Sequence, residues 1–369
     1  MKVARQVASD MWPYWLLFLG VAWMSVSSLR PRAAGCQLLP WSLSWKLAFV
    51  ALVLMIGLRH EVGGDWGSYL RYVDTAAGQD LLQAVLAKGD AAYGLLNWIA
   101  VRLGGSVYLV NLVCAVLFSW GLLRFCRAQP RPWLALTVAV PYLVVVVAMG
   151  YSRQGVAIGL AMIGLISLAE GKRMQFILWI AFAATFHKSA VVLIPLGVLL
   201  SSQRPILTVV GVAVSGAVMF ALFLQETSDA LVINYIDAEM ESSGAFIRVI
   251  MNAVPGLLFL IFRRRFNLGA TQRAFWSWMA LVALGFVPLL LISPSSTAVD
   301  RLALYWIPLQ LFVWSRLPDV LGKPGEWNAV WVCFAIFYSA AVLFVWLVFA
   351  THSMYWLPYQ FYPWVAIWA

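Results

Sequence analysis

"WSLSWKLAFVALVLMIGLRHEVGGDWGSYLRYVD", residues 41–74, passes from a long apolar run straight into a stretch crowded with charge and glycine. The run over 41–58 approaches the roughly 20 residues that a helix needs to cross hydrocarbon at about 1.5 Å per residue. Behind it stand Arg59, His60, Glu61, Asp65, Arg71 and Asp74, with Gly63 and Gly64 among them. The rest of the chain decides whether this is a buried soluble helix or a membrane span.

Apolar residue classes make up 63% of the 369 residues and charged residues 11%, at a mean hydropathy of +0.86. That is too little charge to cover a soluble surface, so lipid is the solvent for much of the chain. The 20 tryptophans and 13 tyrosines recur near the ends of apolar runs, where amphipathic rings sit at headgroup level. A net charge of +10 could point to nucleic acid. The basic residues cluster in short loops between apolar runs instead, which is the positive-inside pattern, and this excludes a nucleic-acid partner. The first apolar run, Trp12 to Leu29, resembles a signal peptide. Arg30 and Arg32 lie between it and Cys36, so an uncleaved first span is expected. The four cysteines have no metal-ligand spacing, and the expectation is no metal and no cofactor.

Apolar runs fall at about 12–29, 41–58, 106–125, 133–150, 154–170, 174–186, 189–200, 205–224, 247–262, 274–292, 301–315 and 328–350. The expected fold is all-α: a polytopic integral membrane protein of about 12 transmembrane helices, within a range of roughly 10–13, forming one membrane domain over 1–369. Residues 91–103 are too short and polar for a span and read as a re-entrant or interfacial helix within an outer loop, 59–105. A second outer loop, 225–247, is acidic. Loops 124–132, 170–173, 201–204, 263–265 and 316–323 carry the basic excess and are expected on the cytoplasmic side. They agree only if the chain reverses near "FHK", 186–188. The C-terminal "YWLPYQFYPW", 355–364, reads as an interfacial aromatic belt.

On this topology four polar groups share the outer face: 59–71, "YSRQG" at 151–155, "FHKSA" at 186–190 and "DRLALY" at 300–305. Cations near hydrocarbon are costly, and the positive-inside bias pushes them the other way, so arginines at outer helix ends need a reason. Arg59 is either a snorkelling residue or part of a site. Asp65 is a partner of Arg59, a helix N-cap, or a base, with Tyr69 on the same helical face. Arg153 and Gln154 lack a partner nearby in sequence, which calls for an anion from elsewhere. His187 and Lys188 form a satisfied pair, or else His187 is a general base or phosphate ligand. Asp300 and Arg301 can pair with each other, with Tyr305 one turn on, and Arg248 opens the next span. The glycines at 155, 159 and 164 read as helix-packing residues. Guanidinium forks match phosphate oxygens and stay charged at any working pH, which points to a diphosphate-linked lipid.

These clusters, with "VGGDWGSY" at 62–69, "GDAAYGLLNWIAVRLGG" at 89–105, "SRQGVAIGLAM" at 152–162, "ATFHKSAVVLIPL" at 184–196 and "DRLALYW" at 300–306, resemble the EpsG family of Wzy-like exopolysaccharide polymerases. The resemblance covers about 41–310 and departs from the family pattern where glycine replaces a common threonine in the first motif. It implies a GT-C-like glycosyltransferase in the broad sense, without metal or cofactor. Such an enzyme transfers a glycan from undecaprenyl diphosphate to a hydroxyl of a lipid-linked repeat unit at the outer face of the bacterial inner membrane. Arg153 and Arg301, then Arg59, would hold the diphosphate. His187 or Asp65 would be the base, and Tyr69, Gln154, Lys188, Tyr305 and Arg248 would line the site. Partners implied are the lipid-linked oligosaccharide, membrane lipid, a chain-length regulator and a flippase of the same pathway. A flippase is the competing function, disfavoured by polar residues collected on one face and by the lack of a twofold repeat. A glycan ligase is barely separable, and an acyltransferase would leave the outer arginines unexplained.

Overall fold

The structure is a computed structural model that describes residues 2–28, 39–86, 90–201, 244–293 and 295–368. The expected span 205–224, residues 225–243 of the acidic loop, loop residues 202–204 and the basic stretch 30–36 lie outside them. Among the described residues, Val107–Arg127, Ser152–Ala169, Ala245–Phe262, Ala270–Ile292 and Ala329–Phe349 are long and apolar enough to cross a bilayer. Shorter apolar helices are Leu43–Gly57, Pro132–Ala148, Arg173–Phe186 and Lys188–Leu200. All fall on expected spans. The chain forms two compact units: Met1–Leu160, Thr185–His187 and Trp314–Ala369 make the first, and Ala161–Ala184 and Lys188–Val313 the second.

In the first unit, α1 (Lys2–Ser27) and α2 (Leu43–Gly57) are followed by a two-residue strand, β1 (Arg59–His60). Three short helices come next, α3 (Trp66–Ala77), α4 (Leu81–Leu86) and α5 (Ala91–Arg102), and then the long α6 (Val107–Arg127). The helix α7 (Pro132–Ala139) widens into a π-helix over Val140–Ala148. After a break at Tyr151, α8 (Ser152–Ala169) begins. A Cβ added at Gly155 would lie 3.2 Å from Ala148 Cα. A straight helix would separate those positions by about 10 Å, so the chain folds back here. α8 crosses α6 at glycines: a Cβ at Gly159 would be 2.8 Å from Phe118 Cα, and one at Gly121 would be 2.0 Å from Gly159 O. Small residues at this crossing let the two backbones touch.

At one end of this unit the basic loops meet. Arg131 forks Asp319 at 2.7 and 3.0 Å and donates to the carbonyls of Glu326 and Trp327, while Arg316 bonds Gln129. Loops 124–132 and 316–323 therefore share one end, as their common charge predicts.

The C-terminal segment corrects the aromatic-belt expectation. Trp356 is buried, donates Nε1–H to Val145 O of the π-helix at 2.7 Å, and accepts at its own carbonyl from Tyr14. Tyr359 donates to Met55 O, and β2 (Gln360–Phe361) pairs antiparallel with β1. A widened helix turn leaves carbonyls to be met from outside, and the indole meets one. Trp364 stays exposed.

In the second unit α9 (Arg173–Phe186) is followed by a 3-10 turn over Lys188–Leu193 and by α10 (Ile194–Ser201). Arg173 donates to Leu200 O at 3.1 Å across 27 residues. One continuous helix would hold these about 40 Å apart, so the reversal expected near His187 is present. Then come α11 (Ala245–Phe262), α12 (Ala270–Ile292), α13 (Ser296–Ala303), a 3-10 turn over Leu304–Trp306, and α14 (Ile307–Leu321), which runs into the first unit. Trp276 and Phe266 stack on Phe312, and Phe259 meets Phe266 edge-on, as an aromatic core. The expected span 301–315 is interrupted by the 3-10 turn over Leu304–Trp306. Arg301 sits in the last turn of α13 rather than opening a span, and Asn252 Nδ2 donates to the carbonyl of Ala303 at 2.8 Å.

Candidate functional site

The apolar helix α2 ends where Arg59 turns inward. Its side chain is 0% exposed. Nε donates to Val62 O at 3.1 Å, Nη1 to Ile56 O, and Nη2 to Ser152 Oγ at 2.7 Å and Asn111 Oδ1 at 3.4 Å. Burial works against the charge and lowers its pKa, and these acceptors offset that cost. Arg59 thus ties α2, α6 and α8 to the loop between β1 and α3, and its bonds go to these groups rather than to Asp65. Gly63 explains half of the paired glycines. Its φ is +105°, a Cβ there would lie 2.4 Å from Met149 O, and its N–H donates to Tyr355 O. The close approach is by the chain's own backbone. Gly64 has open space around it.

Tyr69 is buried beside this frame. Its hydroxyl accepts from the Ser152 N–H at 2.8 Å and reaches Gly150 O at 3.4 Å. Burial first, then the charge of Asp65, pushes its phenol up, against Arg153 and Arg59. It stays neutral and pins the start of α8.

The next residue, Arg153, has a different setting. Nη1 binds Asp90 Oδ2 at 2.6 Å; the Asp90 side chain is 3% exposed and that of Arg153 25%. The guanidinium lies 5.1 Å from the Tyr72 ring centre and 5.8 Å from that of Tyr93. Nε and Nη2 meet no hydrogen-bond acceptor among the described residues. Together with Gln79 and Asn97 these side chains line a small open pocket. A charged fork held at one nitrogen on the wall of an open pocket can receive an anion.

Sequence reading found Arg153 but missed its partner. Asp90, Tyr93 and Asn97 occupy positions 0, 3 and 7 of one face of α5, a polar stripe in an otherwise apolar helix. That spacing was visible, and the interfacial reading of 91–103 hid it.

The remaining candidates lie as follows. Asp65 is half-buried at the N-cap position of α3, where its side chain makes no capping bond while its carbonyl accepts from Ser68 and Tyr69. Gln154 is buried at the start of α8. His187, buried at 9% exposure, marks the turn between α9 and the 3-10 segment, with Lys188 half-buried after it. In the second unit Arg248 forks Asp300 at 2.6 and 2.8 Å, a pairing across 52 residues that the adjacency of Asp300 and Arg301 concealed. Arg301 is exposed, and Tyr305 is buried with its hydroxyl 3.1 Å from Ser189 Oγ.

The EpsG family model matches residues 42–361, most of the chain. The chain belongs to the EpsG family. The match begins at Ser42, which precedes α2, and ends at Phe361, the strand residue opposite Arg59, so it takes in the whole frame of the pocket. A search of curated proteins and a search of solved structures each found no match. This EpsG protein is thus a multi-pass α-helical membrane protein with a polymerase-like role in exopolysaccharide synthesis.

Proposed function

We propose that this EpsG protein is a glycosyltransferase that lengthens a surface polysaccharide. It would move a glycan from undecaprenyl diphosphate to a sugar hydroxyl of a lipid-linked repeat unit, at the outer face of the bacterial inner membrane. The observation that carries the reading is Arg153: anchored by one nitrogen on buried Asp90, flanked by tyrosine faces, and lining an open pocket. Breaking the anomeric C–O bond leaves negative charge on the diphosphate. A preplaced guanidinium stabilises that charge as it develops. The acceptor hydroxyl attacks the anomeric carbon, and its proton passes to a base, His187 or Asp65. Arg301 and Arg248 belong to the second unit and are proposed as anion-binding residues of that unit. Arg59 and Tyr69 build the frame, Gln154 lies beside Arg153, and Lys188 and Tyr305 of the second unit are proposed as substrate-binding residues. A GT-C-like architecture of about 12 spans, one membrane domain, and operation beside a flippase and a chain-length regulator all follow from the same reading.

The test is glycan chain length in cells carrying Arg153→Lys. Lysine keeps a cation against Asp90, so the chain still inserts, yet the planar fork is lost. Long-chain glycan is expected to fall about 10- to 100-fold. Wild-type chain lengths in both Arg153→Lys and Arg153→Ala would overturn the reading. His187→Gln and Asp65→Asn separate the two bases: the one whose loss removes elongation while insertion persists is the base.

A further inference from the structure

Near its start α6 carries Asn111, a partner of Arg59, and in its last turn it carries Arg124 and Arg127. About 24 Å of helix separates the two places, so these arginines lie at the other end of the span. Arg127 is 5% exposed and Arg124 is half-buried. Both Nε atoms are enclosed without a hydrogen-bond partner, and no described carboxylate pairs with either side chain. Arg131 shows what is missing: its side chain is 2% exposed, and it forks Asp319. A snorkelling arginine puts its charge in water. Arg127 is covered instead, with its guanidinium 4.3 Å from the ring centre of Trp41.

The helix beside it adds to the same charge. Gly57 at the end of α2 touches Leu112 near the start of α6, so the start of α2 packs against the end of α6. Trp41 directly precedes Ser42, the N-cap of α2, and holds the guanidinium beside that helix start. Ser42 makes no side-chain capping bond, the first turn has no acid, and Lys46 follows, exposed. The sequence leading in, "LRPRAAGCQL" at 29–38, has two arginines and no acid. The negative end of α6 favours Arg124 and Arg127 but supplies only partial charge, and two cations one turn apart repel. A buried cation needs a full counter-charge. The described chain supplies none here, and a phosphate matches both a guanidinium fork and a helix N-terminus. Leu43 and Leu47, exposed one turn apart on α2, offer an acyl chain a path from the same place, which selects a phosphate on a lipid over a free one.

We propose that the start of α2 and the end of α6 form a binding site for the headgroup phosphate of an anionic phospholipid, in the leaflet on the side of the basic loops. Arg127, set against Trp41, takes the phosphate. Arg124, Lys46 and the N–H groups that open α2 add to its hold, and an acyl chain lies along Leu43 and Leu47. The site is separate from the Arg153 pocket and independent of the reading given to it.

The experiment uses the full chain, delipidated in detergent and titrated with phosphatidylglycerol, phosphatidylcholine or inorganic phosphate. Bound lipid is counted by native mass spectrometry, and stability is followed by thermal unfolding. The wild type is expected to bind phosphatidylglycerol about tenfold more tightly than phosphatidylcholine, and Arg127→Gln to lose that factor. Without added lipid the Arg127→Gln melting point should hold or rise, because a buried unpaired charge has gone; a merely structural arginine would lower it. Lys46→Gln, at an exposed position where folding is not at stake, should weaken phosphatidylglycerol about threefold. Arg264→Gln removes one exposed charge from the basic loop 263–265 and should leave the preference unchanged. The proposal is overturned if the wild type does not prefer the anionic lipid, or if Arg127→Gln and Lys46→Gln both keep the preference. It is equally overturned if Arg264→Gln weakens binding as much as they do, or if inorganic phosphate protects the wild type as well as the lipid does.

Discussion

Arg59 and Arg153 have the same sequence signature: each is an arginine where an apolar helix meets a polar loop. Their surroundings separate them. Arg59 is fully buried, with its donors spent on two carbonyls, a serine and an asparagine. Arg153 keeps a single carboxylate and a quarter of its side chain exposed. A guanidinium surrounded by its own chain's acceptors holds structure, whereas one anchored at one corner can hold a ligand. The helix end cannot tell the two apart, because the acceptors come from elements tens of residues away.

The sharpest way to break this comparison is to remove each arginine in turn. Arg59→Ala takes the guanidinium donors from the Ile56 and Val62 carbonyls and from Ser152 and opens a cavity, so it should cost about 3 kcal/mol or more of stability and reduce inserted protein, read by thermal unfolding in detergent. Arg153→Lys should leave the melting point near that of the wild type and remove elongation. If the two variants share one signature, the contrast is void. A smaller effect is expected from Gly63→Ala. A side chain at φ +105°, against Met149 O, should destabilise by about 1–3 kcal/mol and slow elongation only through the frame, in both thermal melts and chain-length assays. Asp90→Asn keeps an acceptor for Arg153 and drops the charge, so elongation should fall several-fold, about 1 kcal/mol, with the fold retained. The smallest effect on function is expected from Trp356→Phe, which loses the bond to Val145 O and the ring atoms packed on Gly150. It should cost about 2–3 kcal/mol in the melting point and leave chain length near that of the wild type.

Much of the helical plan was readable before the fold. The runs at 106–125, 274–292 and 328–350 meet helices at Val107–Arg127, Ala270–Ile292 and Ala329–Phe349, since bilayer thickness sets a length that composition alone can meet. Charge parity located the reversal at 186–188, now seen in the bond from Arg173 to Leu200. The candidate site was legible only in part. Arg153 stood out as a cation without a local partner. Asp90, 63 residues earlier, is hidden in sequence because the helix it precedes reads as merely interfacial. The C-terminal aromatics read as an interfacial belt, because a tryptophan looks the same in sequence whether its N–H meets a headgroup or a π-helix carbonyl.

By itself, then, the sequence determined which segments are apolar helices, where the chain turns back and which residue types gather at the turns, since hydrophobicity, length and charge are local properties. Only the tertiary structure decided that Arg59 is sealed in while Arg153 faces a pocket with Asp90, Tyr93 and Asn97, and that residues 355–361 latch the frame. Hydrogen bonds reach about 3 Å and say nothing of separation along the chain, so a polar residue's partner is known only once the backbone has brought it there.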